Sequence, residues 1–255
     1  MTPDWSELDR ELDRWAQAGL SLPLWWRDDD AIAPTPALIR LADLAARLGI
    51  AVHLAVIPAH AQDALADALP IGMIPVVHGW AHISHTPEGE KNAEFGADRT
   101  MQALGMDAQQ GLRRLRALFG PRLVPMFVPP WNRVSDNLLP QLPELGFRAV
   151  STFTPRAAPL AAPGLAQINT HLDPIAWRGG RGLANPRVLI AQVARQLADR
   201  REGRADATEP YGILTHHLVH DQAIWTFTEA LLTRLLAGPG QPWTAVDTGE
   251  TNEPT

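Results

Sequence analysis

The 255-residue sequence contains no cysteine, which excludes disulfides, thiolate metal sites and a cysteine nucleophile. Any metal held by this chain must therefore take nitrogen and oxygen ligands. No stretch approaches the ~18 consecutive apolar residues of a membrane-crossing helix. Residues Met1 to Gln17 are acidic and helical in pattern, with neither the basic start nor the apolar centre of an export signal. Together these absences predict a cytoplasmic protein with no membrane partner. Positive charge is also scarce. A formal net charge of -6 and a pI near 5.8 argue against a nucleic-acid partner, which would need a basic face. The cluster Arg113-Arg114-Arg116 reads as a solvated helix face. Tyrosine occurs once, against nine tryptophans. Several of these tryptophans stand inside polar clusters, where an indole can line a pocket for a ligand with flat apolar faces, sugars included.

Hydrophobic residues make up 45% and charged residues 20% of the chain, as in an ordinary soluble enzyme. The length suits one domain over residues 1–247, followed by a polar, frayed tail over 248–255. Short apolar runs alternate with amphipathic helical stretches. Strands are expected over 22–26, 50–57, 74–77, 123–128, 149–152, 165–170 and 211–214. Helices are expected over 37–48, 61–69, 107–119, 135–145, 186–201 and 223–236. Pro34-Thr35-Pro36 opens the first of these helices and Gly49 stops it. The Pro- and Ala-rich stretch 155–163 reads as a connection crossing one face. Strand–helix alternation implies a parallel sheet, and about seven such units favour a closed or nearly closed α/β barrel.

Polar residues recur where these strands end: Asp28–Asp30, His78, Pro129–Arg133, His171 with Asp173, and His216 with His217. In an α/β barrel that end is the catalytic face. His78-Gly-Trp-Ala-His82 places two imidazoles at i and i+4, a spacing that aims both at one ion on a helical turn or helix-like loop. Gly79 lets the backbone turn beside it, and His85 reads as an exposed loop residue. Three consecutive aspartates after a buried strand need a cation or buried donors. Arg27 offers a counter-charge; a metal offers a better account. One Asp would ligate the ion with the two His, and its neighbour would take a proton from the water held there. A histidine of the pair His216/His217 would act as general acid.

In order along the chain stand Trp26-Arg27-Asp28-Asp29-Asp30, His78-Gly79-Trp80-Ala81-His82, Phe127-Val128-Pro129-Pro130-Trp131-Asn132-Arg133, Asp173 to Trp177, and Leu214-Thr215-His216-His217. This series resembles the polysaccharide deacetylase superfamily, the NodB-homology domains of carbohydrate esterase family 4. Their motifs run Thr-Phe-Asp-Asp, His-Ser/Thr-x-x-His, an Arg-Pro-Pro-Tyr-like loop, an Asp-Trp element and Leu-x-His. The match covers about residues 22–225.

The resemblance implies a distorted (β/α)7 barrel and a metal-dependent deacetylase acting on an N- or O-acyl group of a sugar-like substrate. It implies one divalent ion, usually zinc, with cobalt, nickel and manganese as alternatives. Asp29 would be the base, Asp30, His78 and His82 the ligands, and His216 the acid. Asp28, Trp80, Trp131, Asn132, Arg133 and Trp177 would bind substrate. With three aspartates in a row, Asp28/Asp29 remains the alternative base/ligand pair, and His217 the alternative acid. Two departures stand out. Gly79 replaces a hydroxyl-bearing residue, and Val128 stands where the family carries an arginine that tunes the base, a task Asn132 or Arg133 could take over. Two further functions fit the same residues: hydrolysis of a non-peptide C–N bond in a small metabolite, and catalytically silent carbohydrate binding. The oligomeric state is left open.

Overall fold

Trp25 and Trp26, adjacent on one strand, divide the interior into two compartments. The computed structural model describes residues 3–245; the tail expected over 248–255 lies outside them. In chain order the strands are β1 (Leu22–Ala31), β2 (Val52–Val56), β3 (Met73–His78), β4 (Met126–Val128), β5 (Ala149–Val150), β6 (Leu160–Ala162), β7 (Leu165–Gln167), β8 (Tyr211–Thr215) and β9 (Gly240–Pro242). The helices are α1 (Ser6–Gln17), α2 (Pro36–Leu48), α3 (Asp63–Asp67), α4 (Met101–Phe119), α5 (Pro186–Arg201) and α6 (Gln222–Ala237).

Strands β1 to β5 pair in parallel in sequence order, β5 continues in parallel to β7, and β1 pairs in parallel with β8. Beyond β7 the chain runs on to bridge Thr170 to Phe153 and Leu172 to Ile213 of β8. His171 N–H donates to the Gly212 carbonyl at 2.7 Å, and Leu214 N–H to the Leu172 carbonyl at 2.8 Å. A ring of parallel strands, β1-β2-β3-β4-β5-β7-β8, results. This is the nearly closed α/β barrel that strand–helix alternation predicts, in the distorted seven-stranded form that the resemblance implies.

Because side chains alternate across a strand, Trp25 points into the barrel and Trp26 out toward the helices. Trp25 packs inside with Ala55, Val76, Met126, Val128 and Ala149. The indole leaves no room beside it on the neighbouring strand β8, where Gly212 is its register partner. A Cβ on Gly212 would fall 2.7 Å from the Asn169 carbonyl oxygen, so glycine is required there. Trp26 joins the larger outer core with Leu24, Leu38, Leu41 and Leu232.

Helix α2 starts as expected, with Thr35 capping the Leu38 amide at 3.1 Å and Pro36 at its first turn. Gly49 ends it in a left-handed conformation, φ 67°. Helix α4 begins earlier than expected, at Met101, where Thr100 caps it. The helix expected over 135–145 is absent. That segment is turns around a single 3-10 stretch, Leu139–Gln141, because Pro140 and Pro143 cannot donate the amide hydrogen bonds a helix needs. Part of the connection 155–163 joins the sheet as β6, antiparallel to β7. Among the described residues no helix is long and apolar enough to cross a membrane.

Candidate active site

Strand parity sends Arg27 and Asp29 into the barrel mouth and Asp28 to the opposite face. The β1/β2 register then shifts between Asp28 and Ala31, and Asp30 takes φ 74°. This bulge re-aims Asp30, so that two adjacent aspartates serve one cavity. Asp30 Oδ1 stands 3.1 Å from His78 Nε2 and 3.3 Å from His82 Nε2. Asp28 is not in the cavity, contrary to the expectation that it binds substrate. Fully buried on the outer face, it accepts from the Thr215 hydroxyl at 2.6 Å and the His217 amide at 3.0 Å, and pairs with His217 Nδ1.

The segment after β3 is not the helical turn that i, i+4 spacing suggests. Gly79 (φ 56°) and His82 (φ 57°) both adopt left-handed conformations and fold the chain back, leaving the two imidazole centroids 5.2 Å apart. A Cβ on Gly79 would lie 2.5 Å from Pro130 Cδ and closer still to Glu94 Oε2. Glu94 is buried and accepts the amides of Trp80 (3.1 Å) and Ala81 (2.7 Å). It pins the turn that delivers His82. Sequence reading missed it, since a lone acid in the loop 85–99 carries no motif. Trp80, expected at the substrate, instead packs against the outer core, because this same turn directs it away from the mouth. His85 is exposed on its loop.

Whether these groups suit a cation can be judged from hydrogen bonding. His78 Nδ1 faces the Val128 carbonyl at 3.0 Å, which places the proton of a neutral ring there and leaves the Nε2 lone pair facing a carboxylate. Two acceptors so placed need a proton or a cation between them. Burial pushes the His78 pKa down, but Asp29 and Asp30 outweigh it and leave it raised. Burial likewise opposes the Asp30 charge, yet His78 and the other imidazoles hold its carboxyl well below the usual range. Burial and His78 together lower His82. One carboxylate oxygen and two imidazole nitrogens, within 4.8 Å of one another, form a donor set suited to zinc or a similar divalent ion. The carbonyl behind His78 is the outer partner such ligands usually have.

Asp29 is gripped from behind by Arg27, with Nε 2.8 Å from Oδ1 and Nη2 2.9 Å from Oδ2. The guanidinium, itself fully buried, also donates to Asn132 Oδ1 at 2.7 Å and Ser151 Oγ at 2.7 Å. The counter-charge of Asp29 thus comes from an arginine on its own strand. Neither Asn132 nor Arg133 touches Asp29 directly: Asn132 braces Arg27, and Arg133 donates to the Asn92 carbonyl at 2.6 Å.

His216 lines the cavity and His217 does not. The Nδ1 of His216 is buried without a hydrogen-bond partner among the described residues, so only Nε2 is open to the mouth. Trp177 meets this ring edge-on at 4.7 Å between centroids. Asp173 holds the Trp177 indole N–H at 2.7 Å and the Ile175 amide at 2.9 Å. Burial raises the Asp173 pKa, against the pull of nearby His216. The other ring, His217, is raised despite burial by its pairing with Asp28. His171, named among the strand-end residues, is fully buried away from the mouth, between Glu209 and Arg200.

The mouth is a cavity of about 850 Å³ holding Asp29, Asp30, His78, His82 and His216, with Trp131, Asn132, Arg133, Asp173, Trp177 and Arg181 around them. Six described non-glycine residues have positive φ: Asp30, His82, Trp131, Asn132, Thr154 and Arg181. Five of them, all but Thr154, line this cavity. Each such conformation costs about 1–3 kcal/mol and persists only where surroundings enforce it, commonly at functional sites.

The sequence matches no protein-family profile and no curated protein. Its fold, in contrast, is shared by solved structures. A family 4 carbohydrate esterase from Streptomyces lividans superposes with a TM-score of 0.54 at 14% identity, covering 90% of this chain and 96% of that one. A CE4 esterase from Streptococcus mutans gives 0.54 at 12% identity, over 88% and 84%. The peptidoglycan deacetylase PdaC from Bacillus subtilis, as a mutant, gives 0.52 at 14% identity, over 87% of each chain. The chain therefore has the barrel fold of the polysaccharide deacetylases, as the resemblance of its motifs implied.

Proposed function

We propose that this chain is a metal-dependent hydrolase that removes an N- or O-acyl group from a sugar-like substrate. The observation that carries this reading is the convergence on one cavity of Asp30, His78 and His82 beside an independently braced Asp29. Asp30, His78 and His82 would hold the ion, with zinc preferred and cobalt, nickel or manganese also suited to the donors. A divalent ion there would acidify a water and polarise the acyl carbonyl.

The chain's own groups do the rest. Asp29, both oxygens fixed by Arg27, takes the proton of the attacking water. His216 gives the proton on Nε2 to the departing amine or alkoxide as the acyl bond breaks; as the acid leaves, Asp29 releases its proton to solvent and His216 takes one from solvent. Trp177 and Asp173 hold that ring's surroundings in place. Trp131, Asn132, Arg133 and Trp177 shape the cavity around the substrate. The family 4 esterases that share this fold support the reaction class.

Hydrolysis of a panel of acylated amino sugars by zinc-loaded protein tests the reading. Wild type should release the acid, and Asp29→Asn should lose turnover by about 10²-fold or more, the scale of a general base, while still binding one ion. No release by wild type, or equal release by Asp29→Asn, would overturn it.

A further inference from the structure

Every carboxylate in the cavity is already partnered: Asp29 by Arg27, Asp30 by two imidazoles, Asp173 by the Trp177 indole and the Ile175 amide. The two cavity-lining guanidiniums have no such partner. Arg133 gives one N–H to the Asn92 carbonyl and meets no carboxylate among the described residues. Arg181 makes neither a side-chain hydrogen bond nor an ion pair among the described residues, and its side chain is exposed.

The loop that carries Arg181 is not slack. It reads Trp177-Arg178-Gly179-Gly180-Arg181-Gly182, and its backbone is closed by Arg181 N–H to the Ala176 carbonyl (3.1 Å) and Ala176 N–H to the Gly182 carbonyl (2.9 Å). Gly180 (φ 90°) and Arg181 (φ 62°) are both left-handed, glycine easily and arginine under strain. The same loop holds Trp177 at the cavity, 43% exposed. An unpaired cation and an open indole are thus set together on one rim, with Arg133 contributed from the loop after β4. A cavity of about 850 Å³ is of small-molecule size.

Resting on the acyl-hydrolase reading, we infer that the substrate is a small acylated sugar bearing an anionic substituent, a carboxylate or a phosphate, bound by Arg181 and Arg133. Guanidinium forks match both anions bidentately, and the indoles would take the flat face of the ring. Charge on the substrate, rather than polymer length, would then be what the mouth selects.

Three probes separate the cases: N-acetylglucosamine, its 6-phosphate, and N-acetylmuramate. Binding of each by calorimetry to the zinc-loaded Asp29→Asn protein, and turnover of each by wild type, should favour at least one anionic sugar over the neutral one by tenfold or more. Which anionic arm is preferred assigns phosphate or carboxylate. Arg181→Gln should raise the dissociation constant and KM of the favoured probe at least tenfold, and 0.5 M salt should erase much of the preference. Equal binding of all three, no binding of any, or a preference that survives the double replacement of Arg181 and Arg133 by Gln overturns the inference. If no probe is hydrolysed but the Arg181-dependent anion preference is found, the acyl-hydrolase reading fails and the anion site stands.

Discussion

Arg27 and Asp29, two residues apart on the inward face of β1, meet through two parallel hydrogen bonds of 2.8 and 2.9 Å. Both are buried, and the guanidinium is further bound by Asn132 and Ser151. Replacing Arg27 by Met would leave a buried carboxylate without the guanidinium that pairs with it, a loss of about 3–5 kcal/mol. Arg27→Lys keeps the charge but loses the fork, so it should fold better than Arg27→Met and still turn over substrate slowly. Denaturant midpoints and kcat for the two variants check this. A Lys variant indistinguishable from wild type would show that the fork does not matter.

Gly79→Ala should disable the proposed metal site without touching a proposed ligand. The added methyl meets Pro130 and Glu94, and alanine is poorly suited to φ 56°. Displacement of the turn moves His82 away from Asp30, and a shift of this kind should weaken zinc about tenfold or more, the scale seen when a ligand loses its supporting contacts. Competition against a chromogenic chelator gives the affinity.

Asp28→Asn should act on stability and not on substrate binding. Asp28 sits on the outer face of β1 with Thr215 and His217. An amide there leaves a buried imidazole poorly paired, with a loss on the order of 1–3 kcal/mol. Thermal unfolding and KM should be measured together. A raised KM with unchanged stability would return Asp28 to the substrate site.

His53 predicts a pH dependence unrelated to catalysis. It is fully buried on the inward face of β2 against Trp25, with Nδ1 3.3 Å from the Trp26 carbonyl and Nε2 accepting the Ala245 amide at 3.0 Å. Burial holds its pKa down to about 4, so the unfolded chain takes up this proton first. Stability should therefore fall as pH drops from about 6.5 toward 4, by roughly 3 kcal/mol in total, and level off below. The same titration on His53→Gln, which keeps a donor and an acceptor, should show a shallower fall over that window. An unchanged slope would remove His53 as the cause.

Much of this site is legible in the sequence because its chemistry sits at strand ends, and strand ends are marked by apolar runs stopping at polar residues. The His78/His82 pair and the Asp run are such signals. Which aspartate faces the cavity is not legible, since parity predicts that Asp28 and Asp30 share a face and only the bulge at Asp30 breaks it. Asp28 faces outward by the regular parity of β1, and Trp80 is turned from the mouth by the fold of the chain after β3; residue type announces neither. His216 and His217 are chemically identical in the sequence, and only the β1/β8 register separates them. Glu94 and Arg181 lie in loops with no period to read. The helix expected over 135–145 does not form for a local reason: its apolar spacing is helical, but Pro140 and Pro143 cannot donate the amide hydrogen bonds. The ring closes on β8 through the isolated bridge of Leu172 to Ile213, just beyond the strand expected over 165–170.

The most direct test of the central claim is a metal titration of the purified, metal-stripped protein followed by calorimetry, with His78→Ala beside it. The structure predicts one zinc per chain for wild type, thermal stability that rises on loading, and loss of both in His78→Ala. A wild-type chain that takes up no stoichiometric divalent ion, with His78→Ala equal to it in stability, would contradict the account.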